Sequence, residues 1–360
     1  MFFEIIAINI LTQEKELKEE FIRGKALLLP DISLVGDIVN QSSIIHEKFR
    51  NNFMIREFEL AVQGYIHPKI RVDAFASAHA EIGHQEVHNH EEEHNHSQSH
   101  SSDGHIHGGL NFEEGYITFL QIVGPLGGRL GRKYIEFGKF NPLHPEQWLY
   151  VDIPLVLQDN FGRENLIGDG GNISLLFPAE TVVLKIEAGV WRNFSGPFDD
   201  VFYNGRIISA LPVGELSEIE FGLSSASGII QKKEKRTFSN ILGTDLSFKY
   251  TDPGYKIQFI VEPIARIEKS FEYAGLYTSL FYSTRNLQIG LRFDQTRISE
   301  KIGINPTVAF LLTETTKLRV QYGLHIGEHK HNGEEHSSTD HFIFLQFIFA
   351  IGSHGHVLQF

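Results

Sequence analysis

Cysteine is absent from this chain of 360 residues, and so is any long apolar run. Without cysteine the chain has no disulfide bonds and no thiolate metal sites, which suits a protein that crosses an oxidising compartment. No segment reaches the roughly 18 consecutive apolar residues that a membrane-spanning helix needs. If the chain enters a bilayer, it must do so as a closed β-barrel, because only helices and closed barrels satisfy every backbone polar group in lipid.

Alternation with period two is the pattern that repeats from residue 31 onward. In the segment 317–326, apolar residues alternate with Arg319, Gln321 and His325. The segments 57–63, 182–189, 255–262 and 287–294 alternate in the same way. Because successive side chains of a strand point to opposite faces, each segment has one apolar and one polar face. Apolar-out and polar-in segments of about ten residues are typical of a lipid-facing barrel with an aqueous interior.

The connections between these segments alternate between short and long. We predict tight turns at 67–68, 127–128, 178–179, 212–214, 253–254, 284–286 and 314–316, and long polar connections at 41–52, 83–110, 141–170, 193–204, 228–236, 266–271, 298–303 and 328–340. A soluble sandwich or lipocalin-like barrel would also alternate, but short turns on one side and long loops on the other are typical of outer-membrane barrels. The predicted fold is an all-β, 16-stranded antiparallel transmembrane β-barrel with short periplasmic turns and long external loops, located in the bacterial outer membrane.

Two end segments flank the alternating strands. Residues 31–360 are predicted to form the barrel, and Phe360 resembles the C-terminal address that barrel assembly machinery reads on outer-membrane proteins. Residues 1–30 are predicted to precede the barrel. Their first eleven residues are apolar but have neither a basic start nor a small-residue cleavage site, so a truncated or miscalled signal region is the preferred interpretation. A short helix is expected at 12–24.

The central part of the chain carries a family resemblance. The residues concerned are Gly138-Lys139-Phe140, Leu143-His144-Pro145, Trp148, Val151-Asp152, Pro154-Leu155-Val156-Leu157, Phe161-Gly162, Glu164 and Leu175-Leu176-Phe177-Pro178. This block resembles the porin-type outer-membrane family related to phosphate-selective porins, and most of all members labelled zinc-regulated TonB-dependent outer-membrane receptors. The receptor label implies a folded plug before a 22-stranded barrel. Only about thirty residues precede the first predicted strand, so a porin-like channel is the preferred interpretation.

A histidine-rich segment lies inside the long connection 83–110. It has no Lys or Arg, and it combines Glu86, Glu91, Glu92, Glu93 and Asp103 with His84, His88, His90, His94, His96, His100, His105 and His107. Neutral imidazole is a good ligand for zinc, copper and nickel, and nearby carboxylates balance the charge of the cation. The segment therefore predicts reversible capture of a divalent metal, with transient Zn²⁺ preferred over a solvated low-complexity loop whose histidines are incidental.

A second histidine cluster is predicted in the last external loop. It consists of His329, His331, His336 and His341, with acidic residues at 328, 334, 335 and 340. Both clusters would lie on the same side of the barrel, because both belong to the predicted long connections.

The connection 141–170 is predicted to fold into the barrel, as such loops do in porins. The candidate constriction residues are His144, Glu146, Asp152, Asp159, Arg163, Glu164 and Asp169. A ring of acidic side chains favours cations. Arg56, Lys185, Arg292 and Arg319 on polar strand faces keep an anion path open.

Three functions remain open from the sequence. The leading hypothesis is a passive channel that captures divalent metal on its external loops, and the alternative is a general or anion-selective porin, for instance for phosphate, whose histidines only buffer metal. The third is a surface metal-binding or adhesion protein with a blocked lumen. Because no nucleophile–base pair stands out, no catalytic residue and no enzymatic activity are predicted. The expected partners are metal ions, outer-membrane lipids, the barrel assembly machinery and two further copies in a homotrimer, but no nucleic acid.

Overall fold

The computed structural model describes residues 30–45, 48–82, 106–179, 182–232, 235–268, 271–331 and 334–352. Residues 1–29, most of the histidine-rich segment and Phe360 lie outside these ranges. Within them, sixteen strands form one closed barrel, in which each strand pairs antiparallel with its sequence neighbours and β1 pairs with β16. The predicted fold class is therefore confirmed.

The strand bounds follow the chain in order. They are β1 (Asp31–Ile45), β2 (Lys48–His67), β3 (Ile70–Ile82), β4 (Ile106–Val123), β5 (Leu126–Tyr134), β6 (Ile167–Pro178), β7 (Val183–Ser195), β8 (Phe198–Val213), β9 (Ser217–Lys232), β10 (Lys235–Thr251), β11 (Tyr255–Ile267), β12 (Phe271–Thr284), β13 (Leu287–Thr296), β14 (Lys301–Thr313), β15 (Thr316–His331) and β16 (Glu334–Gly352). Between β5 and β6 lie a 3-10 helix (Pro145–Gln147) and helix α1 (Leu155–Phe161). No helix in the described ranges is long and apolar enough to span a membrane.

The barrel wall has an apolar outer surface and a polar inner surface. On β15, the outward-facing Val320 is 41% exposed and Tyr322 is 37% exposed, whereas the alternate residues Arg319 and Gln321 are fully buried. The same alternation recurs on the other strands, where large apolar side chains remain exposed on the outside. Because lipid tails solvate apolar side chains, an outer surface of this kind matches a bilayer.

Several predicted long connections are wrong in length. At 41–52, 193–204, 228–236 and 328–340 the strands continue, and only two residues separate β1 from β2, β7 from β8, β9 from β10 and β15 from β16. These strand extensions are rich in polar residues, so their sequence lacks the alternation that marks a half-apolar strand. The strand count remained correct because an extended hairpin and a long loop connect the same two strands.

One predicted turn is also misplaced. The turn expected at Gly127-Gly128 lies at Gly124-Pro125 instead, and both glycines belong to β5. A Cβ atom at position 128 would lie 2.5 Å from the carbonyl oxygen of Asn172 on the adjacent strand β6. Glycine in a strand interior commonly marks such a close backbone approach, which a turn prediction based on glycine pairs misses.

Candidate functional site in the barrel lumen

Residues 135–166, which connect β5 to β6, form the largest irregular segment of the described chain, and we name them the lumen loop. Pro145 begins its 3-10 helix, and Pro154 stands at the N-cap of α1. Proline fits these positions because it fixes φ near the helical value and needs no hydrogen bond for its nitrogen. Gly162, with φ of 89°, ends the helix in a conformation that other residues rarely adopt.

Apolar side chains of the lumen loop pack against the inner wall of the barrel. Phe140 stacks on Tyr150 with ring centroids 5.5 Å apart, and Tyr150 meets Tyr277 of β12 edge-on at 6.2 Å. Phe137 meets Phe161 edge-on at 4.9 Å. The wall contributes inward-facing residues of β7 to β12 to the same cluster, among them Trp191, Phe202, Ile241, Ile264, Tyr277 and Phe281. The loop therefore lies inside the barrel and is held there by apolar burial.

Two buried arginines, on strands β13 and β15 of the barrel wall, bind the middle of the lumen loop. Arg319 of β15 donates hydrogen bonds to the carbonyl oxygens of Tyr150, at 3.0 Å, and Trp148, at 2.6 Å. Arg292 of β13 donates to both carboxylate oxygens of Asp152, each at 3.0 Å. Burial alone would raise the pKa of Asp152, but the Arg292 guanidinium and its hydrogen bonds outweigh burial and hold that pKa below its ordinary value.

Two further arginines bind the loop from other parts of the wall. Arg56 of β2 donates to the carbonyl oxygen of Val151, and it also donates to Asp37 at 2.9 Å. Arg206 of β8 donates to the carbonyl oxygen of Gly138. Since β8 lies across the barrel from β13, β15 and β2, the loop crosses the lumen and narrows it.

Two strand irregularities concentrate acidic side chains on one side of the lumen. The pairing of β1 with β2 shifts register beside Arg56, and the pairing of β3 with β4 shifts register beside Glu113. A β-bulge of this kind adds one residue to a strand and lets two consecutive side chains share a face. Consequently Arg56 and Glu57 both point inward, and so do Glu113 and Glu114.

His144 of the lumen loop lies between two of these carboxylates. Its Nδ1 is 2.9 Å from Glu59, and its Nε2 is 2.9 Å from Glu114. The imidazole ring packs against Phe75 and Tyr134, with ring centroids 5.0 and 5.1 Å apart. Burial alone would lower the pKa of His144, but the two carboxylates outweigh burial and raise that pKa well above its ordinary value.

Four side chains converge at this point of the wall. Glu57, Glu59, Glu113 and His144 each offer one potential ligand atom, and these four atoms lie within 4.8 Å of one another. Glu146, at the start of the 3-10 helix, is fully buried and is a further acidic side chain near Glu57. We name Glu57, Glu59, Glu113 and His144 the lumen cluster.

A basic cavity lies in another part of the lumen. Its walls include Lys139 of the lumen loop together with Lys249 and Lys256 of β10 and β11, and Tyr150 and Tyr277 form its aromatic side. Acidic side chains at β2 and β4 and basic side chains at β10 and β11 therefore face one interior from different directions. Such an arrangement gives the lumen an electric field across its width.

The predicted constriction residues do not form a single ring. His144 belongs to the lumen cluster and Glu146 lies beside it, whereas Asp152 pairs with Arg292. The carboxylate of Asp159 accepts a hydrogen bond from Thr296 at 2.6 Å. Asp152 and Asp159 therefore anchor the lumen loop to the wall as well as giving it negative charge.

The remaining three constriction candidates lie outside this group. Arg163 and Glu164 are exposed beyond the end of α1. Asp169 lies on β6, where it pairs with Arg132 at 2.6 Å, so the irregular connection ends before residue 167 and not at residue 170 as predicted. The glycine-rich stretch 168–171 resembles a loop in sequence, but it is a strand whose glycines permit close approach to neighbouring backbone.

The predicted metal-binding histidines fall mainly outside the described side chains. Residues 83–105 are not described, and His107, His329, His331 and His336 have a described strand backbone only. The strand pairing sets His329 opposite His336 on β15 and β16. His341 is described, and its Nδ1 lies 2.7 Å from the hydroxyl oxygen of Tyr322. The loop metal sites thus stay predictions.

Sequence reasoning missed the carboxylates of the lumen cluster. The alternation in the segment 57–63 marks Glu57 and Glu59 only as polar strand positions, and it does not single out Glu113 or Glu114. Two adjacent charged residues in a strand break period-two alternation, so Arg56-Glu57 and Glu113-Glu114 are the local signs of the two bulges. The meeting of the glutamates with His144 depends on the path of the lumen loop, which no local pattern contains.

Comparison with known proteins gives structural matches only, since no family model and no curated protein matches the chain. OprB of Pseudomonas putida in its high-pH structure matches with a TM-score of 0.57 and 8% identity, over 90% of this chain and 94% of that one. An anion-selective porin from Comamonas acidovorans matches with a TM-score of 0.54 and 10% identity, over 90% and 100%. The trimer form of OmpT, an outer-membrane protein of Vibrio cholerae, matches with a TM-score of 0.50 and 7% identity, over 89% and 99%.

The chain has the porin-type barrel fold. The finer resemblance to zinc-regulated TonB-dependent receptors is not supported by these matches. Sixteen strands closed into a barrel, with apolar side chains on the outside, form the structure in which strands cross a bacterial outer membrane. The predicted location in that membrane is therefore confirmed.

Proposed function

We propose that the protein is an outer-membrane channel that captures divalent metal, zinc above all, on its histidine-rich segment and lets it diffuse passively through the barrel. The observation that carries the channel is the lumen loop, which crosses a polar interior and is fixed there by Arg56, Arg206, Arg292 and Arg319. A loop fixed in this way narrows a pore to a defined constriction. The proposal contains no catalytic step.

The metal part of the proposal comes from the composition of residues 84–107. Eight histidines and five acids without a single Lys or Arg make a segment that attracts and ligates divalent cations. The acidic side of the lumen, with Glu57, Glu59 and Glu114 buried in the wall, supports the same cation preference. Many interchangeable ligands give weak, reversible binding, which suits capture and release.

The test of metal capture is a same-length variant in which the seven histidines from His84 to His105 are replaced by serine. Uptake of radioactive zinc into zinc-limited cells should fall, because the imidazole ligands are lost. Liposome swelling in a neutral sugar should not change, because the barrel and the lumen loop are intact. A matched control replaces Gln85, Asn89, Asn95 and Gln98 by serine and should keep full zinc uptake. Unchanged uptake in the histidine variant would remove the capture role.

A second candidate function is a general or anion-selective porin whose histidines only buffer metal. The cavity lined by Lys139, Lys249 and Lys256 favours it, because clustered ammonium groups attract anions. The Comamonas acidovorans protein with the same fold is an anion-selective porin. A measured preference for chloride or phosphate over cations would favour this candidate over metal uptake.

The assembly of the channel is part of the proposal. We infer insertion among outer-membrane lipids by the barrel assembly machinery, and association of three copies. The apolar outer wall supports contact with lipid, and the trimer form of OmpT supports the stoichiometry. Sedimentation or native mass spectrometry of the detergent-solubilised chain measures the number of copies, and a monomer mass would contradict the homotrimer.

A further inference from the structure

The lumen cluster brings together more acidic side chains than basic ones. The groups that act most strongly on Glu57 are the acidic Glu113, Glu59 and Glu146 and one histidine, His144. Glu57 is only 3% exposed and Glu59 is fully buried. Buried carboxylates need a cation, a proton or several hydrogen-bond donors, since water is not available to solvate them.

Some carboxylate oxygens of the lumen cluster accept no hydrogen bond from the described residues. Glu57 Oε1 is buried and has no hydrogen-bond partner in the described part of the chain. Glu113 receives one hydrogen bond on Oε1, from Ser77 at 2.6 Å, while its buried Oε2 receives none from the described residues. Native proteins rarely bury such atoms without a partner, and an ordered water or an ion usually supplies one.

The geometry of the lumen cluster fits a metal ion. Tetrahedral zinc with ligands at about 2.1 Å holds its ligand atoms about 3.4 Å apart. The four candidate atoms of Glu57, Glu59, Glu113 and His144 already lie within 4.8 Å of one another, so small side-chain rotations bring them to a common centre. An imidazole among carboxylates selects zinc and similar transition metals over magnesium or calcium, which prefer oxygen ligands.

The surroundings of His144 also fit a metal ligand. Its Nδ1 faces the cluster at Glu59, and its Nε2 lies 2.9 Å from Glu114, on the other side of the ring. Histidines that bind metal commonly donate their second ring N–H to a carboxylate, which fixes the ring and raises its basicity. Glu114 is placed for that role, and its other oxygen accepts a hydrogen bond from the backbone nitrogen of Tyr134.

We propose that Glu57, Glu59, Glu113 and His144 form a binding site for a divalent transition metal such as zinc inside the barrel. The ligands come from β2, β4 and the lumen loop, so a bound ion ties the loop to the wall. This site is separate from the histidine-rich segment, and it does not rest on the proposed metal uptake. If metal does pass through the channel, the lumen cluster is a binding site along the permeation path.

The test is zinc-edge anomalous diffraction from crystals of the full chain in excess Zn²⁺. The result expected is an anomalous peak at about 2.0–2.2 Å from the four ligand atoms. The double variant Glu57→Gln with Glu59→Gln should lose the peak. The control Glu187→Gln, which removes a buried carboxylate from β7, should keep it.

A third variant tests the role of Glu114. Glu114→Gln should raise the zinc concentration for half occupancy of the peak by about 10- to 100-fold, as loss of the carboxylate behind a ligating histidine does elsewhere. Zinc bound only to the histidine-rich segment, with no peak at the lumen cluster, would overturn the proposal. A peak that persists in the double variant would overturn it as well. The map of the parent chain decides the matter even if a variant fails to fold.

Discussion

Replacing Arg292 by methionine should release the middle of the lumen loop. The Arg292 side chain is fully buried, and it donates hydrogen bonds to the carboxylate of Asp152 and, at 2.8 Å, to Asp294. Its guanidinium also lies over the ring of Tyr150, 4.4 Å from the ring centroid. Methionine fills a similar volume but removes the only cation that contacts both carboxylates in the described structure.

The expected magnitude follows from the two carboxylates that lose their partner. Breaking a buried ion pair by removing one member costs about 3–5 kcal/mol, because the other charge remains buried and unpaired. Every 1.4 kcal/mol is a factor of ten in an equilibrium constant. The equilibrium constant for residues 148–154 bound to the wall, relative to released from it, should therefore fall by roughly two to three and a half powers of ten. The barrel wall should survive, because its interstrand hydrogen bonds are unchanged.

Single-channel recording and spin labelling measure this release. Because the chain has no cysteine, one cysteine introduced at the exposed Glu164 takes a single label. Arg292→Met should give larger and noisier conductance and a more mobile label, whereas Arg285→Met, which changes an exposed arginine in the turn before β13, should give neither. Adding Asp152→Asn and Asp294→Asn should reduce the effect. Parent-like conductance, noise and mobility in Arg292→Met would refute the anchoring role.

Three further predictions concern the lumen. Gly138→Ala should lower the free energy of unfolding by at least about 1 kcal/mol, measured by urea titration in lipid, because position 138 has φ of 61° and a Cβ would collide with Glu262; equal stability contradicts this. Replacing Lys249 and Lys256 by alanine should raise the cation-to-anion permeability ratio, and an unchanged ratio would exclude the lysine cavity from the ion path. The pKa of Asp152 is lowered, so its ionised form stabilises the packing of the loop at every pH above the ordinary aspartate pKa of about 3.9. This stabilisation is lost as the pH falls through the lowered pKa, and the mobility of the label should therefore rise only in strong acid. A rise near neutral pH would contradict this.

The barrel could be predicted because its outer face is repetitive. Lipid imposes the same demand on each strand, so residues such as Val320 and Tyr322 repeat a pattern that needs no knowledge of the partner strand. Strand parity and antiparallel order then follow from the number of turns. The ends of the strands were harder to predict, because residues 41–45 and 48–52 continue β1 and β2 with mainly polar side chains.

The interior could be predicted only in part. The inward path of the lumen loop was expected from the family resemblance, but its anchors are single contacts between distant residues, as between Arg319 and Trp148. The lumen cluster depends on two bulges and on the position of His144, and a one-residue change in register reverses which side chains face inward. No periodic pattern encodes these events, so the cluster emerged only from the folded structure.

Ion selectivity of the purified full chain in a planar bilayer tests the central claim most directly. The reversal potential is measured across a KCl gradient, first without Zn²⁺ and then with Zn²⁺ added to one side. A metal-conducting channel predicts open steps, a potential that reports cation preference, and a current that falls when zinc occupies the constriction. Absence of conductance, or a clear preference for chloride that zinc does not alter, would contradict a channel for divalent metal.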